Sequence, residues 1–271
     1  MKLKSTFEAA RKASRELNLV SEAEIDRVLL KVADAAQGSV DYIITENAKD
    51  LVAMDRSDPM YDRLLLTPER IAGIASDIRS VASLDSPIGE IISSVVRPNG
   101  MKIEKVRVPF GVIGVIYEAR PNVSFDVFAL CFKTKNASLL KGGSNAFHSN
   151  EAIVKIIKGV LELEGLNPDI VTLFPTDRKA TAEMLKAVEY VDLIIPRGSA
   201  SLINFVRDNS RVPVIETGAG ICHAYFDISG DTSVWANLAI SSLSASGLEG
   251  CRRFYTFQVF NIKDFMNIKS C

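Results

Sequence analysis

Three turns in this chain set charged or hydroxyl side chains beside glycines, each directly after an apolar run. Leu140-Lys141-Gly142-Gly143-Ser144 places an ammonium and a hydroxyl around a glycine pair just before a helical stretch, a grouping that suits a ribose or its phosphate. Pro196-Arg197-Gly198-Ser199 opens another helical stretch, where unpaired backbone N–H groups attract anions. Glu216-Thr217-Gly218-Ala219-Gly220 stands a carboxylate over two glycines, a placement that fits a general base and equally a surface turn. A fourth segment, Tyr117-Glu118-Ala119-Arg120-Pro121-Asn122, closes an apolar run with two charges, a proline and an amide. Asn122 there can donate to an oxyanion, or simply cap a turn. Neither GxGxxG nor GKS/GKT occurs, so the usual dinucleotide fingerprint and the P-loop are both excluded.

Cysteine decides whether acyl transfer is available, because a thiolate attacks an acyl carbon to form a thioester. Cys131 falls on the apolar face of a helical stretch and reads as core. Cys222 and His223 are neighbours at the entry of an extended run, so their side chains point to opposite faces and do not pair. Cys251 lies in a Ser- and Gly-rich stretch, and Cys271 is terminal. Four cysteines without a CxxC pair are too few for a disulfide framework, and two histidines leave no ordinary zinc ligand set, so no metal is expected.

The elements that must hold these groups follow from periodicity. Thirty-two basic against 33 acidic side chains, a net charge of −1 and 47% hydrophobic residues describe a chain with a core and with no electrostatic bias toward nucleic acid or anionic lipid. No apolar run reaches membrane-spanning length and the N-terminus lacks the pattern of a secretory signal, so a soluble cytoplasmic protein is expected. From Thr6 to about Ile44 apolar residues recur at helical steps. Ser21 with Glu24 has capping-box spacing, and Thr67-Pro68 opens a further helix. Alternation on either side of Arg97-Pro98-Asn99-Gly100 predicts a β-hairpin over 91–108, long enough to project and pair with another subunit. Beyond it, Phe110 to Tyr117, Ala137 to Leu140, Ile170 to Phe174, Val191 to Ile195 and Val212 to Ile215 alternate with helical stretches at Val123 to Lys133, Asn150 to Glu164, near Ala180 to Ala187, and up to Val206. That alternation implies a parallel sheet with helices on its faces. Ligands then bind at the carboxyl ends of the strands, where the four turns lie.

VRVPFGVIGVIYEARPNVSFDVFALCFKTKNASLLKGGS (Val106 to Ser144), HSN (His148 to Asn150), IIPRGSASLI (Ile194 to Ile203) and VPVIETGAGICH (Val212 to His223) resemble the γ-glutamyl phosphate reductases, also called glutamate-5-semialdehyde dehydrogenases. ENAKDL (Glu46 to Leu51), DRLLLTPERI (Asp62 to Ile71) and RPNGMKI (Arg97 to Ile103) fit the same pattern, so the resemblance covers about residues 5–227. It implies an α/β fold like that of the aldehyde dehydrogenase superfamily: a Rossmann-type parallel sheet, N-terminal helices and a protruding oligomerisation hairpin. It also implies NADPH-dependent reduction of L-glutamate 5-phosphate to L-glutamate 5-semialdehyde with release of phosphate, the second step of proline biosynthesis. Carried onto this sequence, Lys141, Gly142, Gly143 and Ser144 face the adenosine ribose and its 2′-phosphate, and Gly198 and Ser199 meet the pyrophosphate. Asn122 holds the oxyanion, Glu216 is the base and Cys251, 35 residues beyond Glu216, is the nucleophile. Ser144 in place of a carboxylate favours NADP over NAD. A second copy of the chain and a glutamate 5-kinase are the protein partners the resemblance implies.

The match weakens at the nucleophile. SSLSASGLEGCRRFYTF (Ser241 to Phe257) lacks the Arg-Pro before the cysteine and the Asn-Ala after it that the family carries. The expectation is a member truncated or frameshifted after about residue 235, with 1–227 an NADP-binding lobe and 228–271 a remnant of the catalytic lobe or an aberrant tail. The alternative reading is a catalytically inactive module that binds NADP and oligomerises.

Overall fold

The computed structural model describes residues 2–216 other than Ala53 and Ala119. Packing divides the chain into one unit of Met1–Gly198 with Leu202–Glu216 and a second of Ser199–Ser201 with Thr217–Cys271. The first unit carries the fold described below.

It opens with helices α1 (Lys2–Leu17), α2 (Glu22–Gly38), α3 (Val40–Leu51), α4 (Pro59–Leu64) and α5 (Pro68–Ala82). The expected capping box is present at α2, where the Ser21 hydroxyl accepts from Glu24 N and the Glu24 side chain accepts from Ser21 N. Thr67 caps α5 through Arg70 N at 3.2 Å, with Pro68 at the first helical position, where its missing N–H costs nothing. Asp58 caps α4 in the same way through Met60 N at 2.8 Å.

The expected hairpin follows as antiparallel β1 (Ile91–Val96) and β2 (Lys102–Val106). Gly100 takes the fourth position of the Arg97–Gly100 turn with φ 82°, a left-handed conformation that glycine adopts without penalty. Asn99 and Gly100 are therefore not the two central residues of a two-residue turn. Every residue of both strands is exposed, including Ile91, Ile92, Val95, Val96 and Ile103.

Next come β3 (Val112–Tyr117), α6 (Asn122–Lys133), β4 (Ala137–Lys141), a 3₁₀ turn at Ser144–Ala146, α7 (Phe147–Leu163), a 3₁₀ turn at Pro168–Ile170, β5 (Val171–Leu173), α8 (Arg178–Met184), β6 (Leu193–Arg197) and α9 (Ala200–Asn209). The four strands make one parallel sheet in the order β5-β4-β3-β6. The expected strand at 212–215 is a single parallel bridge, Ile194 with Val214, held by Ile194 N to Pro213 O at 2.9 Å and Ile215 N to Ile194 O at 3.0 Å. It adds a fifth position beside β6.

Strand alternation divides the core. Ile113, Val115 and Tyr117 of β3 join Leu140 and Leu193 in a cluster with α2, α3, α5, α6 and α7. Val112 and Ile116 join Leu139 and Ile194 in a second cluster with Phe7 and Ala10 of α1, Met184 of α8 and Val206 of α9. Gly114 lies on this second face, where a Cβ would be 3.0 Å from the Met184 sulfur, so the glycine lets α8 seat against the strand. The chain lays β4 and β5 to one side of β3 with helices on one face. It then returns across β3 to place β6 on the other side, with helices on the opposite face. The order therefore reverses between β3 and β6, and that crevice is where a sheet of this kind binds ligands. No described helix is long and apolar enough to cross a membrane.

Candidate active site

Register brings the sequence motifs to one edge. Ile116 pairs with Lys141 on one side and with Pro196 on the other, and Tyr117 pairs with Arg197. Lys141, Tyr117 and Arg197 thus end three adjacent strands together, and Glu216 comes level with this edge two residues past the Val214 bridge. Of the residues expected to act, Lys141, Gly142, Gly143, Ser144, Asn122, Gly198 and Glu216 follow the carboxyl ends of the sheet. Ser199 belongs to the second unit, where its Oγ lies 2.9 Å from the Ser201 Oγ. Cys251 lies outside the described residues, as do Cys222, His223 and Cys271.

The edge is braced by a buried polar chain that sequence reading did not find. Tyr117 Oη and Ser124 Oγ lie 2.7 Å apart, and the Ser124 hydroxyl donates to Asn150 Oδ1 at 2.9 Å. One bridge therefore joins the end of β3 to the first turn of α6 and to α7. Burial pushes the Tyr117 phenol up to about 12, only partly opposed by the Ser124 hydrogen bond, so it stays neutral. Gly142 is packed into this chain: a Cβ there would overlap Asn150 Nδ2 and stand 3.3 Å from Tyr117 Cζ. Gly198 is confined as well, with a would-be Cβ 2.5 Å from Glu118 Oε2 and 3.0 Å from Leu202 Cδ2. Gly142 and Gly198 are thus required by close approach of side chains.

Lys141 is half-buried and donates from Nζ to Thr176 O at 3.1 Å. Desolvation lowers its pKa against the opposing pull of Asp177. Ser144 is exposed at the start of its 3₁₀ turn. The N-terminus of α7 just beyond is already filled from within, because the Asp50 carboxylate accepts from His148 N at 3.1 Å, Ser149 N at 2.8 Å and Ser149 Oγ at 2.6 Å. Asn47 reinforces the joint by donating to Leu64 O and Ser149 Oγ and accepting from Leu66 N. These contacts bring ENAKDL, DRLLLTPERI and HSN together, three blocks that the sequence reading matched without assigning them a task. An anion at the β4 turn must therefore rely on Lys141, Ser144 and turn amides instead of a helix terminus.

Asn122 is the first residue of α6, and its Nδ2 donates to Asp126 Oδ2 at 3.2 Å. Glu216 is ion-paired with Arg207, Nη1 to Oε1 at 3.4 Å. Cys131 is buried as expected, and burial alone pushes its thiol up to about 12, which makes it an inert core residue.

A curated γ-glutamyl phosphate reductase of Bacteroides thetaiotaomicron is 61% identical over 236 residues, covering 87% of this chain and 57% of that protein. The chain belongs to the γ-glutamyl phosphate reductase family. It spans a little over half the length of the curated relatives it matches. The crystal structure of γ-glutamyl phosphate reductase from Thermotoga maritima superposes with a TM-score of 0.79 at 36% identity, over 90% of this chain and 60% of that one. A probable aldehyde dehydrogenase from Listeria monocytogenes, 18% identical with a TM-score of 0.65 over 85% of this chain and 48% of that one, shares the fold. No family profile matches the chain. The α/β architecture expected from the resemblance is thereby confirmed as that of γ-glutamyl phosphate reductases and aldehyde dehydrogenases.

Proposed function

We propose that this chain supplies the cofactor lobe, the oxyanion donor and the base for NADPH-dependent reduction of L-glutamate 5-phosphate to L-glutamate 5-semialdehyde, with release of phosphate. The observation that carries this reading is the gathering of Lys141, Asn122, Gly198 and Glu216 on one sheet edge at the reversal of strand order, in a chain whose relatives bear that enzyme's name. Residues 1–227 form the NADP lobe in this reading, and 228–271 are a remnant of the catalytic lobe or an aberrant tail.

The β4 turn suits NADPH. Lys141 holds a partly desolvated ammonium whose charge an incoming phosphate would compensate. Ser144 offers an exposed hydroxyl in place of a carboxylate that would repel a 2′-phosphate. Gly142 and Gly198 let Asn150 and Glu118 pack against the two turns and hold them in place, so that with Gly143 and Ser199 they present their backbone to the ribose 2′-phosphate and to the pyrophosphate. NADPH, when bound, supplies the hydride that takes the acyl carbon to the aldehyde level.

The chain's own groups do the remaining work. Cys251, as thiolate, attacks the acyl carbon of the substrate, and phosphate leaves with the electrons of its C–O bond. An amide nitrogen carries two N–H donors, so Asn122 can keep one on Asp126 and direct the other at the oxygen that gathers charge. Glu216 accepts the proton that leaves the nucleophile. The exposed apolar residues of the β1–β2 hairpin support pairing with a second copy of the chain, and a glutamate 5-kinase is the proposed source of the acyl phosphate.

NADPH and NADH binding by fluorescence, with NADP reduction by glutamate semialdehyde, tests the reading. Lys141→Ala is expected to weaken NADPH by roughly ten- to a hundredfold while changing NADH little, since a charged hydrogen bond is worth roughly 1.5–3 kcal/mol. Cys251→Ala is expected to abolish turnover. Equal binding of the two nucleotides by the unaltered chain would refute the assignment of the β4 turn, and turnover surviving in Cys251→Ala would refute that of the nucleophile.

A further inference from the structure

A cleft of about 300 Å³ lies between α5 and α6 at the end of β6, and the proposed reaction assigns it no task. Its polar wall is Asp77 from α5, Asp126 from α6 and Arg197 from β6; Ile78, Val81 and Ala129 supply an apolar floor. Two carboxylates and one guanidinium thus line a space large enough for a small molecule, with Asp77 and Arg197 exposed and Asp126 half-buried. Such a set suits a group that carries one positive and one negative substituent on the same carbon.

We propose that this cleft is the subsite for the α-ammonium and α-carboxylate of a γ-glutamyl substrate, with Asp77 and Asp126 taking the ammonium and Arg197 the carboxylate. The inference rests on the substrate class proposed above and deepens it. A γ-glutamyl compound has its reacting carbonyl at one end and an amino-acid head at the other, separated by two methylenes, so a site for one end requires a site for the other a few ångströms away. Asn122 and Asp126 have that relation. They lie one helical turn apart on α6, about 6 Å of rise, and are joined by the 3.2 Å hydrogen bond from Asn122 Nδ2 to Asp126 Oδ2. The apolar floor matches the methylenes.

The electrostatics agree with this geometry. Asp126 is held above the usual carboxylate range first by burial and then by the charge of Asp77, with Arg197 and the Asn122 hydrogen bond opposing. An ammonium between Asp77 and Asp126 offsets their mutual repulsion, and the zwitterionic head as a whole leaves the net charge of the set unchanged. Arg197 can then engage the α-carboxylate bidentately, as a planar guanidinium does and a lysine does not.

The experiment uses the 271-residue chain and three neutral-ended probes that resist hydrolysis. L-glutamine carries the whole amino-acid head, glutaramate lacks the α-ammonium and 4-aminobutanamide lacks the α-carboxylate. Affinities measured by titration calorimetry or NMR are expected to favour L-glutamine by about tenfold or more over either truncated probe. Asp77→Asn and Asp126→Asn should lose about tenfold for L-glutamine and leave glutaramate unchanged, whereas Arg197→Met should lose L-glutamine and leave 4-aminobutanamide unchanged. The three-probe comparison on the unaltered chain does not depend on any variant folding. Equal affinity for all three probes, no detectable L-glutamine binding, or variants that bind as the parent does would each overturn the subsite. NADPH binding measured on the same samples separates the two proposals: head-group selectivity absent with NADPH bound sinks only the subsite, and selectivity present without NADPH binding sinks the cofactor assignment.

Discussion

Replacing Gly142 by alanine tests whether the sheet edge is as tightly braced as its contacts imply. The added methyl would overlap Asn150 Nδ2 and lie 3.4 Å from Asn150 Cγ and 3.3 Å from Tyr117 Cζ. Asn150 is 1% exposed, and its Oδ1 is fixed by the Ser124 hydroxyl, which is itself tied to Tyr117. It can yield only by giving up that bond. Overpacking a core position costs about 1–3 kcal/mol, and a lost internal hydrogen bond adds about 1 kcal/mol, so Gly142→Ala should destabilise by roughly 2–4 kcal/mol. For a chain of this size that is a fall in Tm of about 5–15 °C, read by circular dichroism. The decisive sample is the double variant Gly142→Ala/Asn150→Ala. Removing the obstructing amide makes room for the methyl, so the double variant should be more stable than the sum of the single effects predicts, by about 1–2 kcal/mol. Strict additivity, or a Gly142→Ala chain within about 0.5 kcal/mol of the parent, would show that the turn moves freely and that the buried chain does not brace it.

The Tyr117 phenol, raised to about 12 against an ordinary 10, makes stability dependent on alkaline pH. Its contribution is complete below pH 10 and is lost as pH rises through 12, because the unfolded chain releases that proton first; Tyr117→Phe should flatten this part of the Tm-against-pH curve, and an unchanged slope would count against the assignment. Ser138 Oγ, buried in β4, is the buried side-chain polar atom without a hydrogen-bond partner among the described residues. Ser138→Ala is therefore expected to be neutral or to stabilise by up to about 1 kcal/mol, and a loss of more than that in urea unfolding would reveal a partner for the hydroxyl.

Much of this architecture is legible in the sequence because local chemistry and tertiary role agree. The Ser21/Glu24 box and the Thr67-Pro68 start are satisfied within a few residues of chain, so their spacing alone identifies them. The apolar run from Phe110 to Tyr117 reads as a strand covered on both faces, and its last six residues form that strand, fully buried, while Phe110 stays exposed. The motifs Lys141 to Ser144 and Pro196 to Ser199 could be placed at strand ends because the strands before them were recognisable. Other features depend on partners far away in sequence. Asp50 and Asn47 read as polar faces of an amphipathic helix, yet they are buried against Ser149, about 100 residues on. Asn150 and Ser124 look like ordinary helix residues until α6 and α7 are set side by side. Asp77 and Asp126 look like solvated charges, and only the packing of α5 on α6 makes them face one cleft. Nothing in the spacing of ENAKDL and HSN links one block to the other.

The position of β3 has a consequence for how the chain is made. This strand gains its first neighbour, β4, at Ala137, but its other edge stays open until Leu193 arrives to pair with Ile113, some 80 residues later. At synthesis rates of about 5–20 residues per second the open edge persists for roughly 4–16 s. During that interval the nascent chain presents Val-Ile-Gly-Val-Ile-Tyr with a full row of unsatisfied backbone donors and acceptors, a template for pairing between neighbouring nascent chains. Slowing translation between codons 117 and 193 should therefore lower soluble yield, and a chaperone that shields extended apolar segments should restore it.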